Sequence, residues 1–455
     1  MLSYVYYEFI CNIQFKECLF LKRKFTWLFL FTILLQVSPT TSFATGITNY
    51  PKLNSPDFWQ KITVDGDKEI MNSTDIALFN KKIIEQSATV YNLKDYPSSI
   101  SSEQLHNYLT ETQILTEELY RDGNLISSDY KKSLLDECNL TQIQAQNNIS
   151  YGVTLRRTNL RALPSAKGLF SSSEDTEFDL LQETAVDPSE PVIVLHTSTS
   201  GNFLYIQMRN YRGWIKADDI VQFSYNEWLN YQNPQQFLIV TANKFSILAN
   251  NENIIYQMGA KLPIINIDQN TYTIRIPTKK PDGDFTELTQ QITFSAPVHV
   301  GYLPYTRNNI IKQSFKFLHD PYGWGGLKNS VDCSSFIANI YRTVGIELPR
   351  NADEQELTAG IHTNMENLLS AERQQQLCLL KAGDVLFFNG HTMLYLGMTN
   401  DTPFIIHSLG SHTKHYPDGQ REKIRTMQVV VSDLSLLRYN GKTFCDSLTS
   451  AVSYH

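Results

Sequence analysis

Cys333, His391 and His407 are the residues of this 455-residue chain whose types and spacing can do chemistry together. Before the cysteine, Gly323, Gly325 and Gly326 make a turn that cannot be helical, so Asp332 and Cys333 fall in the first turn of whatever follows. There the unpaired amide N–H groups and the positive end of the helix dipole favour a thiolate over a thiol. A thiol so placed is a nucleophile that needs a base. His391 and His407 each open or line a strand, an arrangement that lets one imidazole take a proton while a polar neighbour fixes its ring. Taken singly, the cysteine reads equally as a small buried hydrophobe and each histidine as an ordinary surface or core residue.

The elements that must hold these three are legible from periodicity. After Cys333, Phe336, Ile337, Ile340, Tyr341 and Val344 recur at three- and four-residue spacing, the stripe of an amphipathic helix, and Gly345 and Pro349 end it. The run 383–388 (GDVLFF) reads as a turn entering a strand, 391–397 (HTMLYLG) as the next strand, and 403–408 (PFIIHS) as a third.

The ordered set PYGWGG, DCSSF, LPRNADEQ, GDVLFF, GHTMLYLG and FIIHS resembles the NlpC family of bacterial cell-wall cysteine peptidases. The resemblance implies a papain-like α+β peptidase domain over 304–445 with Cys333 as nucleophile, His391 as general base and His407 as the orienting third member. It also implies that the Tyr322 hydroxyl sits beside the nucleophile and that Asp332 and Ser334 line the substrate side of the cleft. Two positions depart from the family pattern: Ser335 stands where glycine is usual, and Asn351 where aspartate is common. The implied activity is hydrolysis of the γ-D-glutamyl–diamino acid bond of peptidoglycan, or of stem peptides released from it, through a thioester and without a metal or organic cofactor.

Lys22-Arg23-Lys24, the apolar run Phe25 to Val37 and Ser42-Phe43-Ala44 have the three parts of an export signal, with cleavage expected after Ala44. The apolar run is short for a bilayer span, so no stable span is expected after cleavage, and 1–44 reads as a signal region. Met1 to Leu21 is long and apolar for a leader, which a start codon assigned too far upstream accounts for. The mature chain is then expected to be periplasmic or secreted, and monomeric. The net charge of −7 and the lack of a long basic run argue against a nucleic-acid partner. Cys138, Cys333, Cys378 and Cys445 follow the leader, too few for a disulfide scaffold once one is a free nucleophile.

The remaining chain reads as a multidomain assembly. Residues 45–148 are polar and helical, with Thr74-Asp75 and Ser102 as helix caps, and read as a clamp packed on the following domain. Residues 149–223 switch to short β-branched runs, and Gly213-Trp214-Ile215 resembles the bacterial SH3-like barrel; 236–303 repeat that grammar as a second, divergent copy. Related enzymes whose first barrel docks on the peptidase use a Glu and a Tyr to meet the free amino end of a stem peptide, and Glu183 and Tyr211 match those positions. Two rival readings stay open: a catalytically silent wall-binding protein, and an amidase or acyltransferase using the same Cys and His. A metal cluster of His407, His412 and His415 with Cys378 and Cys445 is a third, weakened by the absence of CxxC and HExxH.

Overall fold

A computed structural model describes residues 46–455. The export signal expected over 1–44 lies outside the described residues, and no described helix is long and apolar enough to cross a membrane.

Four helices lie in the N-terminal segment: α1 (Pro56–Ile62), α2 (Ser73–Gln86), α3 (Ser102–Leu109) and α4 (Ser128–Glu137). The caps differ by one or two residues from those expected. Asn72 caps α2 through the amides of Thr74 and Asp75, and Ser101, not Ser102, caps α3. The segment also packs in two directions rather than one. Its first part belongs to the C-terminal domain: Thr48 donates to the Val431 carbonyl at 3.0 Å, and Trp59 is fully buried against Phe404. Its second part shares a core with the first barrel, where Leu105, Leu109 and Leu134 meet Ile193, Tyr205, Trp214 and Trp228. Trp214 therefore plugs the barrel toward the helices.

The first barrel has seven strands: β1 (Ser150–Thr154), β2 (Thr158–Arg161), β3 (Gln182–Val186), β4 (Pro191–Thr197), β5 (Phe203–Met208), β6 (Tyr211–Lys216) and β7 (Ile220–Phe223). They pair antiparallel in the order β7-β1-β4-β5-β6-β2-β3. An unforeseen helix, α5 (Tyr225–Gln232), closed by a Ser224–Glu227 capping box, leads to the next module. That module, 237–300, has its own apolar core under a five-stranded sheet and a separate hairpin, Lys244–Ala249 with Glu252–Gln257.

In the C-terminal domain, α6 (Arg307–Phe315) and α7 (Cys333–Arg342) pack on a six-stranded sheet. Its strands are β15 (Ile361–Asn364), β16 (Val385–Phe388), β17 (His391–Thr399), β18 (Thr402–His415), β19 (Arg421–Asp433) and β20 (Ser450–Ser453), numbered after the seven strands of the second module. The spatial order is β15-β20-β16-β17-β18-β19. Two expectations change here. The domain does not stop at 445, because β20 pairs with both β15 and β16. The third strand is also far longer than 403–408, and carries His407, His412 and His415 alike.

The first barrel docks on the loop before Cys333. Gln182 donates to the Gly325 carbonyl at 2.8 Å, Trp324 Nε1 to the Asp179 carbonyl at 2.9 Å, and Arg157 to the Gly326 carbonyl at 3.3 Å. Gly325 and Gly326 adopt φ of +52° and +80°, and a Cβ on them would stand 2.5 Å from Gln182 Cγ and 2.6 Å from Ala185 Cβ. These glycines are needed for close approach as much as for the turn. Gly326→Ala is expected to lower folding stability by about 2 kcal/mol; an unchanged urea midpoint would contradict this account of the contact.

Candidate active site

The site is built outward from Asp332. This residue is the N-cap of α7, and its carboxylate accepts from the amides of Ser335 at 2.9 Å and Gly325 at 3.0 Å. Ser335 returns the contact by accepting from the Asp332 amide at 2.9 Å, which completes a capping box. The departure from glycine at this position thus closes the helix start. Arg350 Nη2 reaches the same carboxylate at 2.6 Å. Burial pushes the Asp332 carboxyl up, but Arg350 and Ser335 outweigh it and hold the group below the usual carboxylate range. Ser334 Oγ accepts from Arg350 Nη1 at 2.8 Å and is buried. Both residues expected on the substrate side therefore have their polar atoms engaged inside the protein.

Arg350 is the residue that reasoning from sequence missed. Besides Asp332 and Ser334 it donates to Thr184 Oγ1 at 2.7 Å and approaches the Glu183 carbonyl at 3.4 Å, both on β3 of the barrel. It stands in LPRNADEQ, one of the blocks already singled out, and its place in that block was the available signal.

Cys333 is half-buried, with the backbone amides of Thr392 and Ser334 directed at its sulfur. Since Thr392 follows His391, the sulfur lies at the opening of β17. The two-residue Asn389-Gly390 turn puts His391 first in that strand, paired with Phe388. Leu394 pairs with Ile406, which sets His391 and His407 on one face of the sheet along a diagonal. His391 Nε2 and His407 Nδ1 are 2.7 Å apart, and His407 Nε2 lies 3.1 Å from Ser432 Oγ. If each histidine carries its proton on Nε2, His391 donates to His407 and His407 to Ser432. That arrangement leaves Nδ1 of His391 as the free lone pair.

Electrostatics here run against the expected resting thiolate. Burial first, and the Asp332 charge second, push the Cys333 thiol up to about 12, and the amides and Arg350 only partly oppose them. Burial pulls His391 down to about 3, and His407 well below its ordinary value. Both shifts favour thiol and neutral imidazole over an ion pair. Tyr322 is buried, held by its amide to the Met427 carbonyl at 2.9 Å, and its phenol is raised by burial and by Cys333 and Asp332 beside it.

Two depressions flank these residues. A cleft of about 560 Å³ is lined by Tyr322, His391, Phe388 and Arg438, with Phe178 of the barrel forming a wall 6.2 Å from the Tyr322 ring. A second, of about 230 Å³, is lined by Glu183 and Tyr211, together with Tyr108 and Glu111 of the N-terminal segment and Asn351 and Glu354 of the C-terminal domain. Glu183 accepts from Tyr211 Oη at 2.5 Å and is raised by burial. So Glu183 lies on strand β3, bonded to Tyr211 and one residue from Arg350's contact at Thr184. His412 and His415 are instead engaged with Thr426 Oγ1 and the Arg438 carbonyl, and the described residues bring no three metal-ligating side chains together.

Two outcomes follow from this geometry. Arg350→Met leaves the Asp332 carboxylate buried without its cation and is expected to cost about 3–5 kcal/mol, with Asp332→Asn in the same chain recovering part of it; urea denaturation of the double-mutant cycle checks it. Alkylation of Cys333 by iodoacetamide should rise only in the alkaline range, above the ordinary thiol value of about 8.5. A plateau already at neutral pH would mean a preformed thiolate.

Residues 168–216 match the model of an SH3 domain (SH3b1 type), and residues 319–431 that of the NlpC/P60 family. A gamma-D-glutamyl-L-lysine dipeptidyl-peptidase of Bacillus cereus is 24% identical over 217 residues, covering 44% of this chain and 56% of that protein. Dipeptidyl-peptidase 6 of Lysinibacillus sphaericus is 31% identical over 94 residues, covering 20% of this chain and 30% of its own length. The chain thus spans about half the length of these relatives, or less. The solved structure of an NlpC/P60 endopeptidase from Photobacterium damselae subsp. piscicida superposes with a TM-score of 0.70 at 17% identity, over 86% of this chain and 94% of that one, and so shares its fold. The chain is a multidomain protein with an NlpC/P60 domain at its C-terminal end and an SH3 domain of the SH3b1 type ahead of it.

Proposed function

We propose that this chain is an exported cysteine endopeptidase that hydrolyses the γ-D-glutamyl–diamino acid bond of stem peptides released from peptidoglycan. The observation that carries the reading is the chain of contacts from His391 through His407 to Ser432, on the strand whose Thr392 amide meets the Cys333 sulfur, beside a cleft that the barrel walls on one side. His391, neutral at working pH, takes the Cys333 proton as the sulfur attacks the γ-carbonyl of D-glutamate. The amides at the start of α7 and β17, with Tyr322, are set to stabilise charge developing on the carbonyl oxygen. His391 then protonates the leaving amine, and water resolves the thioester through the same imidazole. His407 orients the base and holds its tautomer. Each step uses groups the chain itself supplies.

Glu183 and Tyr211 make the second depression the seat of the peptide's free amino end. The half-buried Glu183 carboxyl is raised by desolvation in spite of Arg350 and Arg161, and an ammonium group would favour its charged form. Tyr108 and Glu111 narrow this end further, which favours short released peptides over cross-linked wall. In this reading the first barrel restricts the cleft, the module over 236–303 is a divergent SH3-like barrel, and the helical segment clamps barrel and peptidase together in a monomer.

The test is mass spectrometry of products from the mature protein given L-Ala-γ-D-Glu-diamino acid, its N-acetylated form and intact peptidoglycan. Release of L-Ala-D-Glu from the free peptide is expected, at least about tenfold faster than from the acetylated one. The Cys333→Ala protein should release none. Hydrolysis retained in that variant would sink the nucleophile, and equal rates with and without the acetyl group would sink the amine pocket.

A further inference from the structure

Arg438 is a cation with no acidic partner among the described residues. The interior arginines Arg157, Arg161, Arg342 and Arg350 each meet a carboxylate. Arg438 instead lies 4.6 Å over the ring of Phe388 and donates to the Asn389 carbonyl at 3.2 Å. Its backbone is pinned as well: its amide donates to the Lys442 carbonyl at 2.9 Å, and its carbonyl contacts His415 Nε2 at 3.1 Å. The side chain is half-buried on the wall of the larger cleft, where Lys423 joins it and no Asp or Glu lines the surface. A held guanidinium with donors free and no acid beside it is built to receive an anion from outside.

Distance says which anion. Arg438 and His391 pack on the same ring, that of Phe388, at 4.6 and 5.4 Å from its centre. On the reading above, His391 protonates the leaving nitrogen of the diamino acid. That residue's main-chain carboxylate is two bonds from this nitrogen and would sit against His391, short of Arg438. A carboxylate at the far end of the side chain is six bonds away, beyond the width of an aromatic ring. A lysine side chain would bring an ammonium group to the same place, facing Arg438 and Lys423 with like charge.

We infer that Arg438 is a specificity residue, selecting stem peptides whose diamino acid ends its side chain in a carboxylate over those ending in a simple amine. This inference rests on the γ-D-glutamyl reading and deepens it. The charge on the leaving side is opposite to that of Glu183 and Glu354 on the amino-end side, where Arg212, which also lines the smaller depression, is paired with Glu111.

The experiment compares kcat/KM of the mature protein for three peptides. These are L-Ala-γ-D-Glu-meso-diaminopimelate, the same peptide with its distal carboxyl amidated, and L-Ala-γ-D-Glu-L-Lys. The acid is expected to exceed both others by about tenfold or more, and Arg438→Gln to bring the three within about threefold of one another. Arg438→Lys, which keeps the charge, should keep the order. Any effect of Arg438 on the basicity of His391 acts on all three peptides and cancels in their ratios. Equal rates for acid and amide in the wild type, or a ratio that survives Arg438→Gln, would overturn the inference while leaving the γ-D-glutamyl activity standing. If none of the three is cleaved, that activity fails and the inference falls with it.

Discussion

The ion pair between Asp332 and Arg350 is the interaction on which the rest of the site depends. The carboxylate is almost fully buried, and a buried charge persists only when paired and hydrogen-bonded. Asp332 meets that condition by using three structures at once: the first turn of α7, the glycine loop through the Gly325 amide, and Arg350. Arg350 in turn donates to Thr184 on the barrel. The position of the cysteine is therefore set by a contact between two domains. A barrel shifted by an ångström would break hydrogen bonds at the helix start, so docking of the barrel and placement of the sulfur are one constraint.

Exclusion of water explains why the resting pair is neutral. A helix N-terminus favours an anion by about 0.3–1 kcal/mol, whereas removing a thiolate from water can shift its pKa by several units. Asp332 adds a second negative charge next to the sulfur. In the proposed mechanism charge separation is left to the moment of attack, when the imidazolium and the developing oxyanion compensate each other. The same logic favours histidine at position 407. An aspartate buried there would need a cation of its own, whereas an imidazole passes its second hydrogen bond to Ser432 and completes the relay without a fixed charge.

Much of this was readable from local pattern. The apolar stripe after Cys333 located α7, the Gly-rich turn located its start, and the short apolar runs located β16, β17 and the beginning of β18. What local pattern could not show were features created by distant chain segments. Gly325 and Gly326 read as a turn, yet their lack of a Cβ matters for Gln182 and Ala185, about 140 residues earlier. Arg350 was not singled out because its partners lie on a helix cap and on another domain. The desolvation that opposes the thiolate was not legible because the helix dipole is visible in a sequence, while burial is a tertiary property. The helical segment was misjudged for a related reason: its apolar residues mark a buried face but do not say which of two neighbours covers it.

The placement of charge follows from that division between domains. Carboxylates at the smaller depression come from the barrel, from the N-terminal segment and from the short helix Ala352–Leu357; the cations of the larger cleft, Lys423 and Arg438, come from the sheet domain alone. Arg350 touches the Glu183 carbonyl and the Asp332 carboxylate, and its positive charge lowers both the Glu183 carboxyl and the Cys333 thiol. A negative field from Glu183 would otherwise raise the thiol further and oppose the oxyanion. Arg350 therefore permits a carboxylate suited to hold an ammonium group to lie close to a centre that must develop negative charge. On the proposed reading, a short peptide with an ammonium at one end and a carboxylate beyond the scissile bond would be oriented by this polarity before any contact with the nucleophile, and opposed charges would fix which amide reaches the sulfur.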